Sequence, residues 1–323
     1  MDRRLLAAAL FAAAAAPSWV VAAAPARRPR QAAPEPALTV SVDTKLLVVA
    51  PHPDDETLGA GGLMQRVVEA GGSVRVIFLT DGDAYFAGVR YDEHKRRPKP
   101  GDYRDYGRRR QREARAALGR LGLATDGATF LSFPDRGLGK LMSTYWSERR
   151  AAFRSPYTRF DRPPSSEIIV PDTEYRGEDL THEIARVIGE DRPTMILVPR
   201  KEDQHVDHCA AWFFLMDALE DIRRVDATYT PDVINYIVHW YSWPFEDDGP
   251  ALPPPTNLRG GISGWMRVPL TPAQVTAKRA ALKQYRTQYH VMGWFLDGFA
   301  RTNEEFSRPA PARIQLPLRK NPC

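Results

Sequence analysis

The residues able to do chemistry fall in two short stretches far apart in the chain. "PHPDDE", residues 51–56, sets His52 beside Asp54, Asp55 and Glu56, and "HVDH", residues 205–208, groups His205, Asp207 and His208. Two imidazoles and a carboxylate can hold a zinc ion with a fourth coordination position left for water, an arrangement suited to catalysis rather than structural closure. A further carboxylate beside such an ion can take a proton from the water. A further histidine can stabilise or protonate the tetrahedral species that forms. The two stretches contain groups enough for every role, and the residue types alone do not allocate them. Magnesium is as open as zinc on this ground. A structural reading competes, because Asp54 and Asp55 can cap a helix beginning near Thr57, where acids satisfy free amides and oppose the dipole.

The segments that must position these groups come just before them. "KLLVVA", 45–50, and "TMILVPR", 194–200, are apolar runs of the kind found in strands buried on both faces. "TLGAGGLMQRVVEAGG" follows the first motif with Leu58, Leu63, Val67 and Val68 near helical spacing and a glycine pair as a stop. "SVRVIFLTDG" reads as a strand, "GRRRQREARAALGRLGL" as an amphipathic helix with a solvated basic face, "ATFLSFPDRGL" as a strand and loop, and "GEDLTHEIARVIGEDRP" as a helix. This succession predicts an α/β protein, an open three-layer α/β/α sandwich with a mostly parallel sheet, its strand order undetermined. Loops beyond the carboxyl ends of such strands share a crevice, so the two motifs can meet.

Several other residues have two readings. Glu56 suits a hydrogen-bonded support, Asp207 can orient a histidine from behind or cap a helix, and Asp81 can border the crevice or form a turn with Asp83. Gly59, Gly61 and Gly62 do not make the dinucleotide pattern G-x-G-x-x-G and instead permit close packing. The polar segments 91–107 and 143–166 are long for simple connections and are candidate active-site loops. Trp240, Tyr241, Trp243 and Phe245 can line a groove for sugar faces or join the core, with His239 an outside candidate beside them. Residues 271–299 carry a helical pattern opened by Thr271 and Pro272, from which Gln288 and His290 can face the crevice.

The chain has 323 residues, 43% of them hydrophobic, which suits one large domain. A net charge of +5 is modest for this length. Without a dense basic stripe or a nucleic-acid motif, no nucleic-acid partner is expected. Cys209 and Cys323 are too few for a disulfide scaffold. Cys209 is expected to pack within its helix and Cys323 to fray at the end, so no bridge between them is anticipated. Residues 1–26 have the layout of a signal peptide: arginines, an alanine-rich apolar stretch, then small residues. Residues 27–37 read as a flexible lead-in, 38–310 as a single catalytic domain and 311–323 as a C-terminal extension. No later stretch resembles a membrane span, so the mature chain is expected to be exported, periplasmic or extracellular, without stable membrane insertion.

"PHPDDE" and "HVDH" resemble the two signature motifs of the LmbE-like, or PIG-L, family of zinc-dependent de-N-acetylases. "RRRQREARAALGRLG" followed by "LSFPDRGL" is similar to the family's middle region, and "KRAALKQYRTQ" to a late helix; these anchors span most of residues 45–306. The resemblance implies a Rossmann-like fold and one Zn2+ per chain bound by His52, Asp55 and His208, another divalent ion staying open. It implies Asp54 as general base and His205 as the group that stabilises the intermediate or assists leaving-group protonation. The implied activity is a metal-dependent amidohydrolase, an N-deacetylase that releases acetate and a free amine from an N-acetylated sugar or glycoconjugate. Its partner is then a small-molecule or carbohydrate-conjugate substrate. Asp203 stands where some sugar-conjugate deacetylases of the family have a tyrosine, which weakens any specific substrate assignment. A metal-dependent phosphoester hydrolase and a secreted glycan-binding protein without activity are the alternatives.

Overall fold

A computed structural model describes residues 38–323 other than Ser263 and Arg319; the expected signal peptide and lead-in lie outside the described residues. Strand β1 (Lys45–Ala50) is buried from its second residue onward, as its apolar run predicts. It leads through residues 51–54 into α1 (Asp55–Glu69), then β2 (Ser73–Thr80), α2 (Phe86–Asp92), α3 (Pro100–Arg120), β3 (Ala128–Phe133) and the short α4 (Leu138–Leu141). A long connection reaches α5 (Gly177–Asp191), β4 (Met195–Pro199), α6 (Val206–Val225) and β5 (Asp232–Tyr236). The chain finishes with β6 (Trp265–Pro269), α7 (Pro272–Leu282), α8 (Arg286–Asp297) and β7 (Asn303–Ser307).

The seven strands lie in the order β3-β2-β1-β4-β5-β7-β6. β1 pairs in parallel with β2 and β4, β2 with β3 and β4 with β5, while β7 runs antiparallel to both its neighbours. Because side chains alternate across a strand, β1 feeds two cores. Leu46, Val48 and Ala50 pack with α1, α3 and α7 on one face, and Leu47 and Val49 pack with α5 and α6 on the other. The architecture is the mostly parallel three-layer α/β sandwich expected. Between β1 and β4 the strand order reverses, and the loops after these two strands carry the two motifs. That switch point is where crevices form in open α/β sheets.

Three expectations are corrected. Residues 91–107 are not one loop, because α3 begins at Pro100, with proline in its first turn and the Lys99 amide donating to the Asp102 carboxylate at 2.7 Å. Residues 143–166 do form a connection, yet none of them lines the central cleft. Phe153 N donates to Tyr175 O at 3.0 Å and Ser155 N to Phe160 O at 2.8 Å, which folds the segment onto itself and against α5. Cys209 and Cys323 form a disulfide with 5.7 Å between their α-carbons. The last residues do not fray, since Leu316 is buried and its amide donates to Asp217 at 3.0 Å, drawing the tail along α6. Among the described residues no helix is long and apolar enough to cross a membrane.

Candidate metal centre and active site

His52 and Asp55 come from the turn into α1, and His208 from the first turn of α6. His52 Nδ1 lies 3.1 Å from Asp55 Oδ2 and 3.2 Å from His208 Nε2, and His208 Nε2 lies 3.0 Å from Asp55 Oδ2. All three residues are buried. The other nitrogen of each ring faces carboxylates. His208 Nδ1 is 3.2 Å from Asp203 Oδ2, and His52 Nε2 is 3.4 Å from Asp135 Oδ1 and 3.5 Å from Asp207 Oδ2. Carboxylates behind the rings favour the N–H on that outer nitrogen when the inner one holds a cation.

The inner atoms are two imidazole nitrogens and a carboxylate oxygen converging on one point, a donor set that suits a divalent cation able to displace the protons the rings hold without it. A tetrahedral ion with bonds of about 2.0–2.1 Å spaces its ligand atoms roughly 3.3 Å apart, close to the triangle found. The donor set, nitrogen, nitrogen and oxygen with carboxylates behind, thus fits the expected metal. The rings of His205 and His239 adjoin it, 4.7 Å from His52 and 4.8 Å from His208 respectively.

Asp54 does not cap α1: its side chain makes no capping hydrogen bond, and its backbone takes φ 120°, outside the range favoured by non-glycine residues. The surroundings hold it there. Glu56 Oε2 accepts from the Asp54 amide at 3.1 Å, Leu58 N donates to Asp54 O at 2.9 Å, and Arg110 Nη2 donates to Asp54 Oδ2 at 3.1 Å. Arg110 also donates to the carbonyl oxygens of Pro53 and Gly82. Glu56 is fixed in turn by Thr57 and Tyr285. Burial pushes the Asp54 carboxyl up to about 7, with the Arg110 guanidinium pulling the other way. A strained residue held by several partners is a frequent mark of a working site.

His205 precedes α6, and its Nδ1 accepts from the Asp207 amide at 3.3 Å. The proton of the neutral ring therefore sits on Nε2. Burial, reinforced by the neighbouring imidazoles of His52 and His208, holds this ring well below its ordinary pKa. Asp207 does not cap α6 with its side chain; its oxygens accept from Arg136 N at 2.6 Å and Leu138 N at 3.1 Å, fixing the loop after β3. Asp203 accepts from His205 N, Val238 N and His239 N, each at 3.0 Å, besides facing His208. The residue in the family's tyrosine position is thus a hub behind the cluster.

His52, Asp54, Asp55, Arg110, Asp135, Arg136, His205 and His239 line a cleft of about 170 Å³, with Leu58, Tyr85, Gln288, Met292 and Phe295 completing its wall. Asp81 is engaged elsewhere, accepting from Ser132 Oγ and Gln111 Nε2 at 2.9 Å. Gln288 reaches the cleft, whereas His290 stacks on Tyr91 at 5.8 Å. Of the aromatic run, Trp243 joins the core. Gly59 faces the Tyr236 ring, which a Cβ would meet at 2.3 Å, and Tyr236 in turn donates to Val49 O at 2.9 Å. The close packing expected of this glycine presses α1 onto the sheet. Sequence reasoning missed Asp135 and Arg110 as site residues. Asp135 stands beyond the end of β3, as the motifs do beyond β1 and β4. Arg110 lies on the inner stripe of α3, with Tyr103, Tyr106, Ala114 and Ala117.

Residues 47–219 match the GlcNAc-PI de-N-acetylase family, PIG-L, and the chain belongs to that family. A comparison with curated proteins found no match. Among solved structures, the chain is similar to a deacetylase of the teicoplanin biosynthesis pathway, with 18% identity, 83% of this chain and 100% of that chain covered, and a TM-score of 0.53. It is similar to N,N'-diacetylchitobiose deacetylase from Pyrococcus horikoshii, with 16% identity, 81% and 82% covered, and a TM-score of 0.50. It is also similar to GalB, the 4-carboxy-2-hydroxymuconate hydratase from Pseudomonas putida, with 16% identity, 83% and 97% covered, and a TM-score of 0.51. At such identities the likeness establishes the fold, and the hydratase demonstrates that this fold also carries other chemistry.

Proposed function

We propose that the protein is a divalent-metal hydrolase, zinc being the expected ion, that removes the acetyl group from an N-acetylated sugar or glycoconjugate and releases acetate and a free amine. The observation that carries this reading is the buried triangle of His52 Nδ1, Asp55 Oδ2 and His208 Nε2 beside the Arg110-held carboxylate of Asp54. Family membership and the deacetylase neighbours support the sugar amide as substrate.

His52, Asp55 and His208 would hold the ion, which when bound supplies Lewis-acid polarisation of water and of the amide carbonyl. Asp54 takes the proton of the attacking water, and its fixed backbone aims the carboxylate before the substrate arrives. His205 donates a hydrogen bond from Nε2 to the oxygen on which negative charge develops, a contact that gains strength as the charge grows. Because Nδ1 of that ring is occupied by the Asp207 amide, His205 serves as a neutral donor rather than an imidazolium. The proton needed by the departing nitrogen then comes from Asp54, which has just received one. Asp203 and the pair Asp135 and Asp207 keep the two ligand rings in the right tautomer.

The reading includes export. The Cys209–Cys323 bridge suits an oxidising compartment, which is where such bonds persist, and it agrees with the signal-peptide reading of residues 1–26. Purified protein assayed for bound metal and for acetate release from N-acetylglucosamine, its oligomers and lipid-linked conjugates tests the function. About one ion per chain, with acetate release abolished by chelation and restored by zinc, is expected. Full acetate release from metal-free protein, or none from any N-acetylated sugar by the loaded protein, contradicts it. Fractionation of producing cells tests export: cytosolic, unprocessed protein would count against it.

A further inference from the structure

One wall of the cleft continues outward as a connected set of aromatic rings. His239, at the cleft, stacks face to face on Phe295 at 5.7 Å and an interplanar angle of 4°. Phe295 contacts Trp294 at 6.0 Å and Phe245 at 6.2 Å, and the latter two meet at 5.2 Å. The inner members are half-buried, whereas Trp294 is 68% exposed and Phe245 36%. An exposed tryptophan paired with a second aromatic ring is a costly surface unless something covers it. Phe245 rests on Gly298, where a Cβ would lie 2.7 Å from the ring, so the shelf has a set orientation rather than a loose one.

The charge around the shelf narrows the choice of occupant. Residues 240–249 and 287–298, which carry it, contain no lysine or arginine, and Arg301, which is bonded to them, is spent on the Gly249 and Gly298 carbonyl oxygens, while Asp247, Asp248 and Asp297 are exposed among them. Carboxylates at that edge repel an anionic membrane surface. They accept hydrogen bonds from hydroxyl groups, and the flat apolar faces of Trp294 and Phe245 match the C–H face of a pyranose ring.

We propose that Trp294 and Phe245 form an acceptor subsite for a saccharide ring attached to the acetamido sugar, so that the preferred substrate is an oligosaccharide or glycoside rather than a free monosaccharide. This rests on the sugar-deacetylase reading above for the placement of the acetamide at the inner end. The shelf is continuous with the cleft through Phe295, which lines both, and it lies one ring beyond the histidine cluster. Its residues lie after the segment matched to the family, 47–219, in the C-terminal part of the chain.

The test compares the native chain with Trp294→Ala, a substitution at an exposed position. Two readouts are used: acetate release from N-acetylglucosamine, N,N'-diacetylchitobiose and N,N',N''-triacetylchitotriose, and binding of the trisaccharide to chelator-treated protein by saturation-transfer NMR. The native protein should prefer the oligomers. In the variant, the kcat/KM ratio of trisaccharide to monosaccharide and the metal-independent affinity should each fall roughly fivefold, the size of one lost ring contact. An unchanged ratio with unchanged binding overturns the subsite and leaves the deacetylase reading standing. Trisaccharide binding that depends on Trp294, without acetate release from any sugar, supports the subsite and overturns the deacetylase reading. Absence of saccharide binding, with Trp294-dependent binding to phosphatidylglycerol vesicles, overturns the subsite in favour of a lipid surface.

Discussion

Asp203 Oδ2 lies 3.2 Å from His208 Nδ1, on the side of the ring away from Asp55. The same oxygen also takes the amides of Val238 and His239, so one carboxylate fixes both the ring and the chain that follows β5. Burial opposes its ionisation, yet the His208 imidazole beside it holds the carboxyl down at about 2. The arrangement gives His208 one tautomer and one direction. Asp203→Asn, which keeps an acceptor but loses the charge, is expected to weaken zinc affinity about 10- to 100-fold while leaving the fold intact. Competition against a chelator of known affinity, alongside circular dichroism, measures both. Unchanged zinc affinity would remove Asp203 from the account of the cluster.

The Cys209–Cys323 bridge joins residues separated by 114 positions and ties the end of the chain to the helix that carries His208. Constraining so long a segment in the unfolded chain contributes about 2–5 kcal/mol. Cys323→Ser should lower the melting temperature by several degrees, and a reductant should lower that of the native protein to the same value without affecting the variant. Equal melting temperatures for native and variant proteins would mean that the tail, held through Leu316 and Asp217, needs no bridge.

Asp81, engaged with Ser132 and Gln111 rather than with His52, Asp55 or His208, gives a pH-dependent prediction. Burial, then the nearby carboxylate of Glu167, raises its carboxyl from 3.8 to about 7. The folded chain thus holds a proton there that the unfolded chain has lost, so this group's contribution to stability falls as pH rises from about 4 to 7 and is level above. Asp81→Asn keeps contact with Ser132 and Gln111 and removes the charge. It should be more stable than the native chain by about 2 kcal/mol at pH 8, a figure discounted because Asp81 is only half-buried. The difference should shrink towards zero near pH 4. Denaturant melts at the two pH values check it, and a pH-independent difference would contradict the assignment.

Much of this was legible in the sequence because it depends on local pattern. The apolar run Lys45–Ala50 and the run before "HVDH" announce buried parallel strands, and motifs beyond two such strands can share one crevice. The order β2-β1-β4 that joins them was not legible, since it depends on pairing between distant segments. Arg110 was hidden by its neighbours: in "GRRRQREARA" five arginines look alike, and only the start of α3 at Pro100 fixes which one turns inward. The period was in fact present, as Tyr103, Tyr106, Arg110, Ala114 and Ala117 recur at helical spacing. Reading 91–107 as a loop concealed it. Asp203 shows a different failure. Noting that a tyrosine was missing described the family's pattern, whereas the aspartate's contribution depends on His208 and on the chain after β5. The disulfide was missed because a terminal cysteine looks free until the packing of Leu316 draws the tail back onto α6.

The central claim is that Asp54, strained and held by Arg110 and Glu56, takes the proton of water beside a metal bound by His52, Asp55 and His208. Asp54→Asn preserves size and most hydrogen bonds and leaves the three ligands untouched. Acetate release from an N-acetylated oligosaccharide by the zinc-loaded variant is the direct measurement, with the bound metal counted in the same sample. The account predicts about one zinc per chain and a kcat reduced at least 100-fold, the scale of a lost general base. A variant that keeps its zinc and turns over at the native rate would contradict it.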